Sequence, residues 1–304
     1  MSASANLFLI GAPKAGTTSL ASWLGFHPDV FWSTPKEPFY WAADFPRQRE
    51  HHGFGSFERY SRLYESPAAQ AARWRGDGST TYLYSSRAIP DILASSSGPT
   101  KFLVSVRNPA DLVVSYHRTQ LIALNESEES FSAAWHRSLH HEPDPNSKPL
   151  DPKLLDYPLM GKQGAALRRV SELVPKGDLH VVVFDDIKAD PDSAWEELTD
   201  FLEIASTPKP DFGAENQSNT TARWPAIRRL AHRPPRLLSG PVSLARRAIS
   251  HSQSPLARTL RARLWKEAAR PSVDPALKHE LNEYFAQDVA ELERLLGREL
   301  DWTK

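Results

Sequence analysis

The chain has 304 residues, of which 40% are apolar and 10% aromatic, and it contains no cysteine. This length and composition suit one large α/β domain or two small ones, and the missing cysteines exclude a disulfide scaffold, thiolate metal sites and a cysteine nucleophile. The 37 basic and 37 acidic residues cancel, so attraction to an anion must come from local clustering of charge. The N-terminus lacks a basic signal region, and no segment has the roughly 20 apolar residues that span a bilayer. We therefore expect a cytoplasmic protein.

Short apolar runs alternate with helical patterns along the chain. Strands are predicted at 6–12, 101–108 and 179–186, weaker strands at 29–33 and 80–85, and helices at 16–25, 109–124, 128–141, 160–174, 191–203 and in 274–302. The strand runs are almost continuously apolar, as in central parallel strands that are covered on both faces. The order predicts an α/β fold, a P-loop-like three-layer sandwich with a mostly parallel sheet and helices on both faces. Ligands of such sheets bind beyond the carboxyl ends of the strands.

The C-terminal third has a different composition. Between Arg223 and Arg270, eleven arginines and one lysine accompany a single acid, Glu267. We interpret 1–304 as one domain and 223–270 as an arginine-rich helical lid or insert within it. Two alternatives stay open for this stretch: a surface that docks an anionic acceptor or carrier protein, and an amphipathic contact with anionic membrane, which nothing else in the sequence indicates. Nucleic-acid binding is not expected, because no recognition motif for it is visible.

The segment "IGAPKAGTTSL" at 10–20 follows the first strand and opens a helix. Gly11 and Gly16 keep the spacing of a nucleotide-hydrolase P-loop, but the lysine, Lys14, lies inside the loop and Thr17 follows the second glycine. A helix that begins there offers backbone N–H groups and the positive end of its dipole to an anion. The phosphate-binding residues predicted from this pattern are Lys14, Ala15, Gly16, Thr17, Thr18 and Ser19.

Two motifs in this order resemble those of sulfotransferases that use 3′-phosphoadenosine-5′-phosphosulfate (PAPS). "GAPKAGTTSL" resembles their 5′-phosphosulfate loop. "VRNPADLVVSYHR" at 106–118 resembles their 3′-phosphate motif, an arginine after a central strand and a serine eight residues later, here Arg107 and Ser115. The resemblance, to a bacterial-type member, implies metal-free transfer of a sulfuryl group from PAPS, with 3′,5′-bisphosphoadenosine (PAP) as the product and Lys14 stabilising the leaving phosphate.

A third segment extends the resemblance to the acceptor side. "HPDVFWSTPKEPFYWAADF" at 27–45 is similar to the Lys-Glu segment of the carbohydrate-type branch, which includes heparan sulfate sulfotransferases. The similarity implies that Glu37 is the general base. The cytosolic branch uses a histidine instead, which makes His117 the rival. "GDGSTTYLYS" at 76–85 resembles the acceptor-side segment, although some heparan sulfate enzymes carry a lysine near the position of Gly78. The cytosolic branch also closes over the 3′-phosphate with an Arg-Lys-Gly sequence that this chain lacks, and we assign Arg223 in its place.

The acceptor implied by this resemblance is a small molecule or glycan with a hydroxyl or amine, whether carbohydrate, lipid or secondary metabolite. Two other functions stay open. A P-loop kinase or nucleotide hydrolase needs an acid after a strand; "FLVSV" in the predicted strand at 101–108 is followed by Arg107, but "VVVFDD" does end in acids. A non-catalytic nucleotide-binding protein of the same fold would keep the loop and lose the chemistry. The sequence does not predict the oligomeric state.

Overall fold

The computed structural model describes residues 4–208, 220–222, 265–267 and 274–302. One sheet has five parallel strands in the order β2-β3-β1-β4-β5. Their bounds are β1 Leu7–Gly11, β2 Val30–Trp32, β3 Trp74–Asp77, β4 Lys101–Val106 and β5 Leu179–Val183. A separate antiparallel pair is formed by β6 (Thr220–Ala222) and β7 (Trp265–Glu267). The predicted α/β fold with a parallel central sheet is confirmed.

Helices surround the sheet. Within the described residues they are α1 (Thr17–Leu24), α2 (Pro46–His51), α3 (Phe57–Ser61), α4 (Pro67–Ala71), α5 (Ala88–Ser95), α6 (Pro109–Ile122), α7 (Phe131–Leu139), α8 (Tyr157–Gly161), α9 (Gln163–Ser171), α10 (Phe184–Ala189), α11 (Pro191–Leu202) and α12 (Pro275–Leu296). Single 3₁₀ turns occupy Arg62–Tyr64, Thr80–Tyr84, Pro152–Leu155 and Lys176–Asp178.

The continuous apolar runs are explained by two cores, one on each face of the sheet. In β1, Leu7 and Leu9 belong to a core with side chains of α1 and α11, whereas Phe8 and Ile10 belong to a larger core with side chains of α6, α9 and α12. Successive residues of a strand point to opposite faces. Because both faces are buried, every position of the strand must be apolar.

Two of the predicted strands differ from the structure by more than two residues. The weak strand at 80–85 is wrong: Thr80–Tyr84 is a 3₁₀ helix, and the strand lies just before it, at Trp74–Asp77. That strand contains Gly76 and Asp77, residue types that are depleted in strands. Gly76 is required because a Cβ there would be 2.4 Å from Cε3 of Trp32 on the neighbouring strand. The strand predicted at 179–186 ends at Val183, so the acids that follow it lie in the first turn of α10.

The order of the strands locates the crevice of the fold. From the central β1 the chain moves to β2 and β3 on one side and then to β4 and β5 on the other. In doubly wound sheets the ligand lies where the order reverses, beyond the carboxyl ends of the strands. In this protein that point is the loop that follows β1.

Candidate active site

The loop between β1 and α1 is a tight turn with two left-handed residues, and the residue types in it suit that conformation. Gly16, which precedes α1, has φ of +83°, and a Cβ there would lie 2.8 Å from the ring of Phe184. Glycine is therefore the residue that fits. Lys14 is also left-handed, with φ of +67°, and Ala15 between them is buried. Helix α1 has no side-chain cap and no acid in its first turn, so the positive end of its dipole is not neutralised locally.

The end of β4 holds this loop in place. Ser105 accepts a hydrogen bond at its carbonyl from Ala12 N (2.6 Å), and its hydroxyl donates to the carbonyl of Ala15. The guanidinium of Arg107 donates to the carbonyl of Lys14 at 3.0 Å. The two predicted anion-binding segments are thus joined directly, although they are 93 residues apart in sequence.

The position of Arg107 is fixed by a buried amide. Gln163 is fully buried; its Oε1 accepts from Arg107 N at 2.9 Å and its Nε2 donates to Arg107 O at 2.7 Å. The guanidinium lies over the ring of Phe184, with Cζ 4.9 Å from the ring centroid. Asn108 caps α6 by accepting from Asp111 N at 3.2 Å and also donates to the Trp302 carbonyl at 3.1 Å. Backbone and side chain of Arg107 are therefore both fixed.

Positive charges accumulate around Lys14. Burial lowers the pKa of the Lys14 ammonium, the nearby charges of Arg107 and Arg118 lower it further, and the Glu37 carboxylate opposes them, with a last small contribution from Lys36. Three further cations and the Glu37 carboxylate therefore act on Lys14, and Arg107 also pairs with Asp111 at 3.9 Å. Such an arrangement is relieved by a bound anion.

Arg118 was not predicted from the sequence, although it ends the motif at 106–118. It follows Ser115 by three residues on α6, so the two share one side of the helix, and both are half-buried. The (i, i+3) spacing from Ser115 could have indicated Arg118 as a further binding residue. That spacing is informative only once this side of α6 is known to face Lys14. The roles of Ser115, Thr17, Thr18 and Ser19 in holding phosphate stay predictions, and Arg223 lies outside the described residues, as does the 223–270 segment apart from β7.

Glu37 lies in an irregular segment beside this cluster. Its carboxylate is about one-third exposed (33%) and accepts a hydrogen bond from Lys36 Nζ at 2.7 Å. Lys36 Nζ also donates to the Gly78 carbonyl at 3.3 Å and contacts Thr17 Oγ1, in the first turn of α1, at 3.5 Å. The predicted base and the predicted phosphate loop are therefore connected through one ammonium group.

A fully buried carboxylate, Asp77, anchors the region beneath Glu37. It ends β3 and accepts hydrogen bonds from the Tyr60 and Tyr82 hydroxyls (3.0 Å each) and from Ser79 N and Oγ (3.1 and 2.6 Å). Burial raises the pKa of Asp77 to about 6, although these hydrogen bonds oppose the shift. With this pKa the Asp77 carboxylate is ionised at neutral pH. The four hydrogen-bond donors compensate for the hydration that the carboxylate loses on burial.

The same hydroxyls hold the segment that carries Glu37. Phe39 N donates to Ser79 Oγ at 2.9 Å. Trp41 N donates to Tyr82 OH at 3.1 Å, and Trp41 Nε1 donates to Tyr60 OH at 3.1 Å. Each of these hydroxyl groups also donates a hydrogen bond to the buried Asp77 carboxylate, so the segment that carries Glu37 is held at the end of β3. Sequence reasoning missed this network because its members are spread from Phe39 to Tyr82 and no local pattern joins them.

His117, the rival base, faces the core. It is buried, its Nε2 is 2.8 Å from the carbonyl of Glu128, and its ring packs against Phe131 and Tyr157. Burial lowers its pKa. These contacts do not present the imidazole to the loop after β1, which disfavours His117 as the base.

The described residues include neither a candidate membrane span nor a candidate metal site. Among them no helix is both long and apolar enough to cross a membrane. In the same part of the chain no three His, Asp or Glu side chains are grouped so that they could hold a metal ion.

The family model described as a sulfotransferase domain matches residues 4–292. This protein therefore belongs to the sulfotransferase family. Its fold is similar to that of a sulfotransferase from Alicyclobacillus acidocaldarius, with a TM-score of 0.70 and 20% identity over 99% of this chain and 100% of that one. That likeness shows the fold alone.

Two other solved structures match less well. The sulfotransferase domain from the curacin biosynthetic pathway has a TM-score of 0.43 and 15% identity, over 68% of this chain and 77% of that one. The sulfotransferase domain of the Synechococcus PCC 7002 olefin synthase has a TM-score of 0.42 and 15% identity, over 92% and 94%.

Proposed function

We propose that this sulfotransferase moves a sulfuryl group from PAPS to a hydroxyl or amine of a carbohydrate, lipid or secondary metabolite. The observation that supports the donor most is the group of cations at the start of α1. PAPS carries anionic groups at both its 5′ and 3′ positions, and this site offers one cation for each of them. Lys14 lies within the loop, and Arg107 lies at the adjacent strand end, bonded to it.

The residues present fit such a donor. A Cβ at Gly16 would contact Phe184, so the turn is shaped by glycine, and the uncapped α1 offers its N–H groups to one phosphate. Arg107 supplies a planar donor set suited to a second phosphate. No acidic side chain occupies the first turn of α1, so an anion meets no local repulsion there.

The proposed chemistry is an in-line displacement at sulfur. Bound PAPS supplies the sulfuryl group and a phosphate able to leave. Glu37 accepts the proton of the attacking hydroxyl or amine, which strengthens the nucleophile as its bond to sulfur forms. Lys14 and the loop N–H groups stabilise the charge that develops on the departing phosphate oxygen. The Glu37 carboxylate is about one-third exposed, which leaves it accessible to an acceptor.

A kinase or nucleotide hydrolase is the second candidate, and the acids after β5 would be its metal ligands. Asp185 accepts a hydrogen bond from Trp302 Nε1 at 2.9 Å and pairs with Lys188 at 2.5 Å, while Asp186 pairs with Arg298. Both carboxylates thus have structural partners, which disfavours this candidate.

Transfer of labelled sulfate from PAPS onto a panel of acceptors tests the proposal. The wild-type protein is expected to label at least one acceptor class, and Lys14→Ala is expected to be inactive. Lys101→Ala is the matched control, because Lys101 lies at the opposite end of the sheet and should leave transfer unchanged. Transfer that is equal in wild type and Lys14→Ala contradicts the role of the loop, and phosphate transfer from ATP in place of sulfate transfer supports the kinase.

A further inference from the structure

Lys36 occupies a position between the two reacting groups that the proposed function does not use. Its ammonium contacts a carboxylate oxygen of Glu37 (2.7 Å), the Gly78 carbonyl (3.3 Å) and the Thr17 hydroxyl (3.5 Å). Glu37 is the predicted base, and Thr17 lies in the first turn of α1. An ammonium group has three donors and no acceptor, and these three oxygens receive them.

The pair formed by Lys36 and Glu37 differs from an ordinary surface pair. Lys36 is 22% exposed, whereas in the surface pair of Arg62 with Glu58 the side chains are 62% and 74% exposed. Surface pairs of that kind contribute little. Lys36 is one of the charges that act on Lys14, and a partly desolvated ammonium gains from a second anion in addition to Glu37.

Gly78 makes the space that Lys36 fills. A Cβ at position 78 would lie 3.1 Å from Cγ and 3.2 Å from Cε of Lys36, and 3.1 Å from Cζ2 of Trp32. The backbone also pairs there, with Gly78 N donating to the Lys36 carbonyl at 2.9 Å. The glycine at the end of β3 therefore lets the lysine stem cross the sheet edge and bring its ammonium to α1.

We propose that Lys36 is a catalytic cation shared between the base and the sulfuryl group, an inference that rests on the proposed function. Without donor, Lys36 neutralises the Glu37 carboxylate. With donor bound at the start of α1, the same ammonium contacts a sulfuryl oxygen, and the interaction with Glu37 weakens. The base is thereby freed for the acceptor proton only when a group to be transferred is present.

The charges of the transfer step remain balanced. The acceptor oxygen or nitrogen forms its bond to sulfur as the bond from sulfur to the bridging oxygen breaks, and that electron pair stays on the phosphate. The acceptor proton goes to a Glu37 oxygen. Lys36 keeps its proton throughout and acts on charge alone, by stabilising the sulfuryl oxygens as they move from one partner to the other.

Binding without acceptor tests the proposal, because PAPS and PAP differ by the sulfuryl group. Calorimetric affinities are measured for both ligands in the wild type, Lys36→Met, Lys36→Arg, Gly78→Ala and Lys101→Met. Lys101 is the matched control: it also contacts a backbone carbonyl (Gly177, 2.7 Å) and a carboxylate (Asp178, 3.2 Å), but at the other end of the sheet. We expect Lys36→Met to weaken PAPS about tenfold and PAP less than about twofold.

The other variants sharpen the result. Gly78→Ala should weaken PAPS in the same selective way by displacing the lysine, Lys36→Arg should recover part of the loss, and Lys101→Met should change neither affinity. Glu37→Gln removes the competing carboxylate, so it should raise PAPS affinity severalfold when Lys36 is present and leave it unchanged in Lys36→Met.

Two results overturn the inference. If Lys36→Met and Gly78→Ala weaken PAPS and PAP equally, or neither ligand, Lys36 does not contact the sulfuryl group, and the proposed function is unaffected. If the wild-type protein binds neither ligand, the proposed function fails and this inference fails with it.

Discussion

The carboxyl edge of the sheet has two halves that are built differently. The donor half, residues 12–19 and 105–118, places cations on a tight turn and on helix α6, next to the central strands β1 and β4. The acceptor half consists of residues 36–41 and 77–82. Its irregular segment, 36–41, donates hydrogen bonds to hydroxyl groups, and these hydroxyl groups donate in turn to one buried carboxylate, Asp77. The donor half thus depends on the ends of two adjacent central strands and the turn that follows β1, and the acceptor half depends on a side-chain network that joins distant parts of the chain.

This difference predicts a separation of effects. Changes in the donor half should alter the affinity for the bisphosphorylated nucleotide, because we propose that its charges bind phosphate. Changes in the acceptor half should alter the rate of transfer and leave the affinity for PAP, which lacks the sulfuryl group, nearly constant. A variant that mixes the two effects would show that the halves are not independent.

The largest effect is expected in the acceptor half, for Glu37→Gln. The amide cannot accept the acceptor proton, so the rate of transfer should fall about a thousandfold, while PAP affinity stays within about twofold of wild type. Steady-state transfer and calorimetry measure the two quantities. Glu58→Gln, in an exposed pair with Arg62, is the control. Full activity in Glu37→Gln would show that another group is the base.

In the donor half, Arg107→Ala should act on binding. We expect PAP affinity to fall about a hundredfold and adenosine 5′-monophosphate affinity by less than about fivefold, since a charged hydrogen bond contributes about 1.5–3 kcal/mol. Competition binding with both nucleotides measures the ratio. Arg62→Ala, an exposed arginine, serves as the control. Equal losses for the two nucleotides would remove the 3′-phosphate assignment of Arg107.

Asp77→Asn tests the network that holds the acceptor half. An amide keeps the shape but cannot accept four hydrogen bonds, so transfer should fall about tenfold to a hundredfold with PAP affinity unchanged. Loss of PAP affinity in parallel with activity would mean that Asp77 supports both halves.

The same variant should change the pH dependence of stability. In the folded wild type the pKa of Asp77 is raised to about 6 from its ordinary value of 3.8. The unfolded state therefore releases its proton first, and stability falls as pH rises from about 4 to 6, by roughly 3 kcal/mol. Asp77→Asn should lack that decline, which denaturant titrations at several pH values can measure. Parallel wild-type and variant curves would contradict the raised pKa.

The smallest effect on transfer is expected for His117→Gln, because the imidazole lies in the core. The rate should change by less than about threefold, since no proton passes through this side chain. Burial lowers the pKa of His117 from its ordinary value of 6.5, so in the wild type stability should fall as pH decreases through 6.5, and the variant should lack that loss. A hundredfold loss of activity in a folded variant would restore His117 as the base.

The contrast between the halves also explains what the sequence could predict. Strand and helix boundaries locate Lys14 and Arg107, because the ends of neighbouring parallel strands meet at one edge. The left-handed turn at Gly16 follows from glycine spacing. These features depend on local patterns, and the structure brings the two cations together as the patterns indicate.

The acceptor half could not be predicted in the same way. β3 was missed because Gly76 and Asp77 are poor strand residues, and its glycine has meaning only beside the Trp32 ring. Aromatic residues at 80–85 alternate like a strand, yet Tyr82 points its hydroxyl to Asp77 from a 3₁₀ turn. Such contacts join distant parts of the chain, so they appear only in the folded structure.

The central claim is that the edge beyond β1 and β4 binds a bisphosphorylated adenosine for sulfuryl transfer. Calorimetric titration of PAP and of ATP, each with excess chelator and with Mg²⁺, tests it most directly. We predict that PAP binds equally well in both conditions and about a hundredfold tighter than ATP, because the proposed role of Arg107 is to bind the 3′-phosphate, which ATP lacks. Binding of ATP that requires Mg²⁺, together with no measurable binding of PAP, would contradict the account.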